Sequence, residues 1–287
     1  LLPNSNVLPE YLYYVVNYMH LEKYFTGATI PHIYFKDYKN EEFNLSTLGE
    51  QRQIINILGA CENMLETRRK QLKDLDNLIR ARFLELFGDT CNNWKEVTIA
   101  DVCKDMRTGP FGSALHHDEF VDKGIFVLGI DNAVENKFSY NRMRYITEEK
   151  YEKLKRYTVY PGDVIITIMG TVGRSAVIPE NMPKAINTKH LACLTPNTDI
   201  VDSYFLVNAF QLHPLIRYQL ESQSKGAIMD GLNLKIIKGL KFGLPPLELQ
   251  KQFADFYKQI DKSKVAVQKA LDEAQLLFDS LMQQYFG

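Results

Sequence analysis

Apolar residues recur at alternating spacings of four and three over two stretches of the chain, residues 48–88 and 247–287. Such a heptad pattern is typical of long helices that pack side by side. At 41 residues, each helix would be about 60 Å long. We expect the pair to meet through Leu58, Leu65, Leu72, Leu75 and Ile79 on the first helix and through Ile260, Val267, Leu271 and Phe278 on the second. The pattern also fits an ordinary pair of core helices without a spacer role.

The two stretches are copies of one sequence, because they align without a gap at an offset of 199 residues. The matches include Leu48/Leu247, Gln51/Gln250, Lys70/Lys269, Leu72/Leu271 and Phe87/Phe286. Upstream, Phe43 matches Phe242 at the same offset, and with a gap Pro9-Glu10-Tyr11-Leu12 faces Asp202-Ser203-Tyr204-Phe205. The repeat predicts two similar units, each a globule followed by a long helix.

The first globule is represented only by its tail, since residues 1–45 contain no counterpart of roughly 90–199. We therefore expect the C-terminal part of a first globule in residues 1–45, a spacer helix in 46–89, a complete globule in 90–245 and a second long helix in 246–287. Pro245-Pro246 would start that helix, as proline is tolerated in a first helical turn. Because the chain begins Leu1-Leu2-Pro3-Asn4, we expect a fragment or a shortened form.

Short β-rich runs mark the segment between the long helices. Gly124-Ile-Phe-Val-Leu-Gly-Ile130 and Asp163-Val-Ile-Ile-Thr-Ile168 are bounded by Gly and Pro. Such runs indicate a mixed α/β globule. The predicted fold class is α+β (mixed): one α/β domain with two long antiparallel helices of coiled-coil type.

The composition limits the possible classes of protein but does not identify a binding partner. The formal net charge is −1, although residues 90–246 hold 19 Lys/Arg against 17 Asp/Glu. Nucleic-acid binding would therefore need a local rather than a global charge excess. The sequence contains no apolar run of membrane-spanning length, and its four cysteines form no Cys-x-x-Cys pair. We expect a cytoplasmic protein that does not insert into a membrane.

Several segments, in this order, are similar to those of a known family. They are Thr108-Gly-Pro-Phe-Gly-Ser113, Gly162-Asp-Val-Ile-Ile166, Gly170-Thr-Val-Gly-Arg174 and Phe242-Gly-Leu-Pro-Pro-Leu-Glu-Leu-Gln-Lys-Gln252. Together with the repeat, they make the chain resemble the specificity subunit of type I restriction-modification systems. The chain departs from the pattern at Ser46-Thr47, which replaces the double proline in the first copy, and in its partial first globule.

The resemblance implies a function and a set of partners. It implies two target recognition domains that each read half of a bipartite site in double-stranded DNA, while antiparallel helices fix the gap between the halves. It also implies docking to methyltransferase (modification) subunits and to a motor-nuclease (restriction) subunit, which would bind the methyl donor, ATP and Mg²⁺. A partial chain would require a complete first domain, in cis or through self-association with a second chain.

Polar and basic loop residues are the candidates for DNA contact, because guanidinium, amide and hydroxyl groups read base edges or bind phosphates. They are Arg107, Thr108, Gly109, Ser113, Lys137, Tyr140, Asn141, Arg142, Arg144, Thr171, Arg174, Lys189, His190, Ser224 and Lys225. For Arg174 the sequence leaves base and phosphate contact open. Gly170–Gly173 fits a plain strand-connecting turn, and most charged loops are simply solvated.

Catalytic, metal and cofactor motifs are not found, so we predict a chain without catalytic residues, cofactors or metal ligands. His116-His117 has no Cys or His at ligand spacing, and Gly170–Gly173 does not fit a phosphate-binding loop. Two other hypotheses stay open. One is a self-contained Mg²⁺-dependent endonuclease built on Asp163 and neighbouring carboxylates, and the other is a coiled-coil scaffold whose globule binds protein.

Overall fold

The computed structural model describes residues 4–26, 30, 32–89, 93–111, 114–224 and 232–287. The helices are α1 (Pro9–Tyr18), α2 (Phe35–Tyr38), α3 (Leu48–Phe87), α4 (Glu148–Leu154), α5 (Ser203–Leu212), α6 (Pro214–Ser224), α7 (Leu234–Gly239) and α8 (Leu247–Phe286). The strands are β1 (Glu96–Thr98), β2 (Cys103–Thr108), β3 (Ile125–Leu128), β4 (Tyr145–Ile146), β5 (Thr158–Val159), β6 (Val164–Thr167), β7 (Ser175–Val177), β8 (Ala185–Asn187), β9 (Leu191–Pro196) and β10 (Lys241–Gly243). The predicted mixed α+β class is confirmed.

The chain divides into two compact units. Unit 1 comprises Leu1–Asp76 and Asp261–Gly287, and unit 2 comprises Asn77–Ile260. Both boundaries lie inside a long helix, so each unit contains one part of α3 and one part of α8. Within the described ranges, no helix is long and apolar enough to cross a membrane.

The two long helices begin with different local chemistry. Thr47 and Glu50 form a capping box before α3: the Glu50 carboxylate accepts from the Thr47 amide at 2.8 Å, and Thr47 Oγ1 accepts from the Glu50 amide at 3.3 Å. At the start of α8, Pro246 occupies a position whose amide would lack a helical partner. The departure at Ser46-Thr47 therefore exchanges one helix-start signal for another.

Buried positions on α3 follow the predicted seam along most of its length. Ile54, Leu58, Cys61, Leu65 and Ile79 are buried, and Leu72 and Leu75 are half-buried. On α8, the predicted positions Ile260, Val267, Leu271 and Phe278 are all half-buried. Continued from Ile79, the four-three spacing would bury Arg82 and Leu86, but near its end α3 buries Phe83 and Phe87 instead. A straight helix drifts by about 20° per heptad from a strict seven-residue repeat, which moves the buried stripe by one position.

Unit 1 is built around α1. Tyr11 and Tyr14 pack with Leu58 of α3 and Met282 of α8 in one apolar cluster. The Tyr11 ring meets Phe286 edge-on, with 5.4 Å between the centroids. Between α3 and α8, Arg69 donates to Gln275 and Asp76 pairs with Lys264. The parts of these two helices in unit 1 therefore run antiparallel.

Unit 2 contains two four-stranded sheets. One has the order β2-β9-β6-β7 and is antiparallel throughout; the other has the order β4-β3-β8-β5, with β3 and β8 parallel. Apolar side chains of both sheets share a core that includes Phe126, Leu128, Ile165 and Cys193. A separate ladder joins β1 to β10.

Aromatic side chains pack the parts of α3 and α8 in unit 2 against α5. Phe205 of α5 lies 4.8 Å from Phe87, and Phe83 lies 5.2 Å from Phe253, between ring centroids. All four rings are fully buried, in a cluster that continues onto β6 and β9. The long helices are thus part of the core that supports the antiparallel sheet.

Two buried glutamines, Gln51 and Gln250, make equivalent hydrogen bonds at the start of α3 and α8. In both, the side-chain oxygen accepts from a backbone amide just before a short helix, and the side-chain amide donates to two backbone carbonyls. The partners are Leu8 N (2.9 Å), Asn6 O (2.9 Å) and Ser46 O (2.8 Å) for Gln51, and Asp202 N (2.9 Å), Ile200 O (3.1 Å) and Pro245 O (2.8 Å) for Gln250. We refer to each set as a glutamine clasp.

The clasps correct the alignment of the repeat at its start. Leu8 and Asp202 have the same role in the two clasps, which corresponds to an offset of 194 residues. At this offset, α1 (Pro9–Tyr18) and α5 (Ser203–Leu212) coincide from end to end. The predicted match of Pro9 with Asp202 is therefore wrong by one residue.

We expect Gln250→Ala to lower the free energy of unfolding of unit 2 by roughly 1–3 kcal/mol, because it leaves a buried amide and two carbonyls without partners. The single tryptophan, Trp94, lies 6.3 Å from the Phe87 ring and reports this unit by fluorescence during urea denaturation. Gln252→Ala, at an exposed position on the same helix, is the matched control and should change stability by less than about 0.5 kcal/mol. Equal effects of both variants would contradict a role for the clasp.

Candidate functional site

Four loops of unit 2 meet where strands of both sheets end. A Cβ on Gly109, just after β2, would lie 2.2 Å from the carbonyl oxygen of Asn187 at the end of β8, so the two backbones touch and only glycine fits. The amide of Ile168, after β6, donates to the His190 carbonyl at 2.9 Å. A Cβ on Gly170 would lie 3.3 Å from the Ile130 side chain, in the loop after β3. We call this surface, residues 109–111, 129–144, 168–174 and 187–190, the loop edge.

The loop between β6 and β7 is a tight turn that carries Arg174. Gly170 and Gly173 have φ angles of 70° and 82°, which favour glycine. Thr167 Oγ1 accepts from the Arg174 amide at 3.0 Å, and the Thr167 amide donates to the Arg174 carbonyl at 2.8 Å. These bonds fix the backbone of Arg174, while Thr171 and Arg174 are both exposed.

The loop after β3 is organised by the buried Asn132. Its Oδ1 accepts from the Gly129 amide at 2.8 Å, and its Nδ2 donates to the carbonyls of Ser139 at 2.7 Å and Asn141 at 3.3 Å. These bonds hold the tip of the loop, where the three consecutive residues Tyr140, Asn141 and Arg142 are all exposed. No sequence signal marks Asn132, because its role depends on bonds to residues 3 to 9 positions away.

Arg144 packs against the start of its own loop, and its charge acts on His190 in the loop after β8. It pairs with Asp131, and its Nη1 lies over Gly129, where a Cβ would approach within 2.5 Å. Burial lowers the pKa of His190, and the positive charges of Lys189 and Arg144 lower it further. His190 is therefore neutral near pH 7.

The loop edge is more basic than the chain as a whole. Its four segments contain five Lys/Arg and two Asp/Glu, whereas the whole chain has 34 and 35. The basic residues are Lys137, Arg142, Arg144, Arg174 and Lys189. Exposed apolar side chains, which the sequence analysis missed, lie between them: Phe111, Met143, Met169 and Val172. Only the tertiary structure shows that these residues are not part of the core.

Of the other predicted contacts, Arg107 is directed into the domain. Its guanidinium pairs with Asp163 at 2.8 Å and with Asp105 at 2.6 Å, and its side chain is 14% exposed. The structure therefore does not support DNA contact by Arg107, whose charge is neutralised internally. Thr108 is half-buried and Gly109 is buried. Ser113 and Lys225 lie outside the described residues, and Ser224 is the last residue of α6.

Asp163, the residue of the endonuclease hypothesis, is 2% exposed. Its Oδ2 accepts from Arg107, from the Tyr160 amide at 3.0 Å and from the Cys193 thiol at 3.2 Å. Burial and Asp163 raise the pKa of Cys193 well above its ordinary value, so the thiol stays protonated and donates. Among the residues that the structure describes, no three His, Cys, Asp or Glu side chains are grouped as metal ligands.

The sequence of the chain is similar to those of known proteins. The sequence model of one family, described as type I restriction modification DNA specificity domain, matches residues 92–274, which is more than half of the chain. The chain belongs to this family. The resemblance drawn from the short motifs and the repeat is confirmed.

Two curated members of the family are similar over much of this chain. The type I restriction enzyme MjaVIII specificity subunit of Methanocaldococcus jannaschii is 23% identical over 270 residues, covering 85% of this chain and 62% of the relative. The EcoBI specificity subunit of Escherichia coli is 24% identical over 191 residues, covering 67% and 40%. The chain thus spans less than two thirds of the length of either relative.

Solved structures share the fold. The S subunit of the type I restriction-modification system from M. genitalium superimposes with a TM-score of 0.63 at 17% identity, covering 98% of this chain and 73% of that one. A structure solved for the assembly and conformational transition of the type I R-M system gives 0.60 at 20% identity, covering 98% and 71%. At these identities the likeness concerns the fold.

Proposed function

We propose that the chain binds double-stranded DNA through the loop edge and reads part of its sequence there. The observation that carries the proposal is the convergence of four loops, predicted separately from the sequence, on one surface. Five cations against two carboxylates give this surface a local positive field in a chain of net charge −1. A local excess suffices for phosphate contact, because such contacts act within roughly 10 Å at physiological salt.

The side chains at the edge suit base reading as well as phosphate binding. Asn141 and Arg142 lie at the exposed tip of a loop held by Asn132, and amide and guanidinium groups can each form two hydrogen bonds to one base. Buried polar atoms without a partner are rare in folded proteins. Three such atoms in the described chain belong to this surface: Arg144 Nη1, Asn187 Oδ1 and Thr188 Oγ1. Water or a ligand at the edge would satisfy them.

We also propose that the chain has no catalytic chemistry of its own. It would direct methyltransferase and motor-nuclease subunits, which would hold the methyl donor, ATP and Mg²⁺. The endonuclease hypothesis requires Asp163 to bind Mg²⁺, but this carboxylate accepts hydrogen bonds from Arg107 and the Tyr160 amide instead. The scaffold hypothesis gives no reason for basic side chains at the ends of strands from both sheets.

Methylation mapping tests this function. In cells that carry the gene and its methyltransferase partner, we expect deletion of the gene to remove methylation at one bipartite motif throughout the genome. The variant Asn141→Ala/Arg142→Ala should reduce methylation at that motif or relax one half of it, with a cost of about 1–3 kcal/mol for each lost base contact. Lys153→Ala, at an exposed position on α4 outside the edge, is the control and should leave the map unchanged. A map that does not respond to deletion would refute the proposal.

A further inference from the structure

A groove of about 770 Å³ lies beside the loop edge, wholly within unit 2. Its walls are the last turns of α3, the β6–β7 turn and the first turns of α6. Three arginines, Arg80, Arg174 and Arg217, line it together with one acidic residue, Glu221. The groove shares residues 172–174 with the loop edge, so the two surfaces are continuous.

Two of the three arginines are available for a ligand. Arg80 and Arg174 are exposed and form no ion pair within the described part of the chain. Arg217 pairs with Glu221 at 2.9 Å, but both side chains are well exposed, at 45% and 62%. Such an exposed i,i+4 pair contributes little and can exchange partners readily.

The groove is held in shape before any ligand binds. Gln211, at the end of α5, donates to the Gly173 carbonyl at 2.8 Å and to Ser175 Oγ at 2.9 Å, which fixes the turn that carries Arg174. Arg80 is next to the buried Ile79 and three residues before Phe83, so its backbone is anchored by the core. A guanidinium group on a fixed backbone loses less conformational entropy on binding than one on a mobile loop does.

We propose that this groove binds a backbone phosphate of the DNA whose bases face the loop edge, with Arg80 and Arg174 as its main donors. A phosphodiester offers two oxygens that share one negative charge, and planar guanidinium groups bind them in a fork. The proposal rests on the function proposed above and extends it in two ways. It assigns Arg174 to phosphate rather than to a base, and it makes the long helix α3 a DNA-contacting element.

The test measures binding of the full chain to two duplexes, the mapped target and a scrambled version, by fluorescence anisotropy at several salt concentrations. We expect Arg80→Ala to weaken binding to both duplexes equally, by roughly tenfold, and to reduce the slope of log K against log salt by about one. Arg174→Ala should act in the same way. Arg82→Ala is the matched control: it removes the same charge from the same helix two residues away, outside the groove, and should leave both quantities unchanged.

The outcomes separate this proposal from the one on which it rests. If the unmodified chain binds neither duplex, both proposals fail. If it binds but Arg80→Ala behaves like Arg82→Ala, the groove proposal fails and DNA binding at the edge stands. If Arg174→Ala weakens only the mapped target, Arg174 reads a base and its assignment here is wrong. Thermal unfolding should be the same for all variants, since Arg80, Arg82 and Arg174 contribute little to the core and alanine favours helix.

Discussion

Replacing Asp163 by alanine is expected to lower the free energy of unfolding of unit 2 by about 3–5 kcal/mol, because it removes the buried counterion of the Arg107 guanidinium. Arg107 donates to Asp163, to the Thr158 carbonyl and to Thr195 Oγ1. The ion pair thereby connects β2 and β9 of one sheet with β5 of the other. Without the carboxylate, the charge has only neutral acceptors and the exposed Asp105 as partners.

Urea denaturation followed by Trp94 fluorescence measures this effect. Asp105→Ala is the matched control, since it removes a carboxylate from the same arginine where the side chain is 58% exposed, and should cost at most about 1 kcal/mol. Adding Arg107→Met to Asp163→Ala should recover part of the loss, because the uncompensated charge disappears. A stable Asp163→Ala variant that had lost a DNA-cleaving activity would instead support the endonuclease hypothesis.

Lengthening both long helices by one heptad is expected to abolish methylation at every original site and to create it at sites with a longer gap. Seven residues inserted after Lys70 in α3 and seven after Leu271 in α8 keep the antiparallel partners of Arg69–Gln275 and Asp76–Lys264 in register within unit 1. Each insertion adds about 10 Å. Because B-DNA rises about 3.4 Å and turns by roughly a tenth of a revolution per base pair, we expect the gap to grow by one to three base pairs.

Methylation maps of such variants, made with a complete first recognition domain present, provide the measurement. The sequences of the two half-sites should not change, because the insertions lie outside the loop edge. Insertion into α3 alone is the control: it breaks the register with α8 and should reduce stability without giving a defined new gap. An unchanged gap in the doubly lengthened variant would show that these helices do not set the spacing.

The long helices could be predicted because the pattern that identifies each of them lies within that helix. A four-three pattern needs only neighbouring turns of one helix, and it located the buried positions from Ile54 to Ile79. It failed at Phe83 and Phe87, because the buried side of a straight helix drifts from a seven-residue repeat. The shifted side is the one that packs against α5 and the antiparallel sheet.

The loop edge could be predicted only in part, because sequence shows residue types but not which way they face. Arg142 and Arg174 lie at exposed positions of loops, as expected. Arg107 has the same chemistry, but its partner Asp163 is 56 residues away, and no sequence signal indicates that pairing. Phe111 and Met169 look like core residues until the fold shows that they lie at the edge.

The division of the chain also determines the order in which its parts can fold. Unit 2 is one continuous segment, Asn77–Ile260, whereas unit 1 is made from two segments separated by all of unit 2. During synthesis, unit 2 has its whole core before α8 is complete. Tyr11 and Tyr14 precede unit 2 in the chain, and they meet Met282 and Phe286 only after α8 has been made. On the ribosome, α1 therefore stays without its core until unit 2 and the whole of α8 have been made.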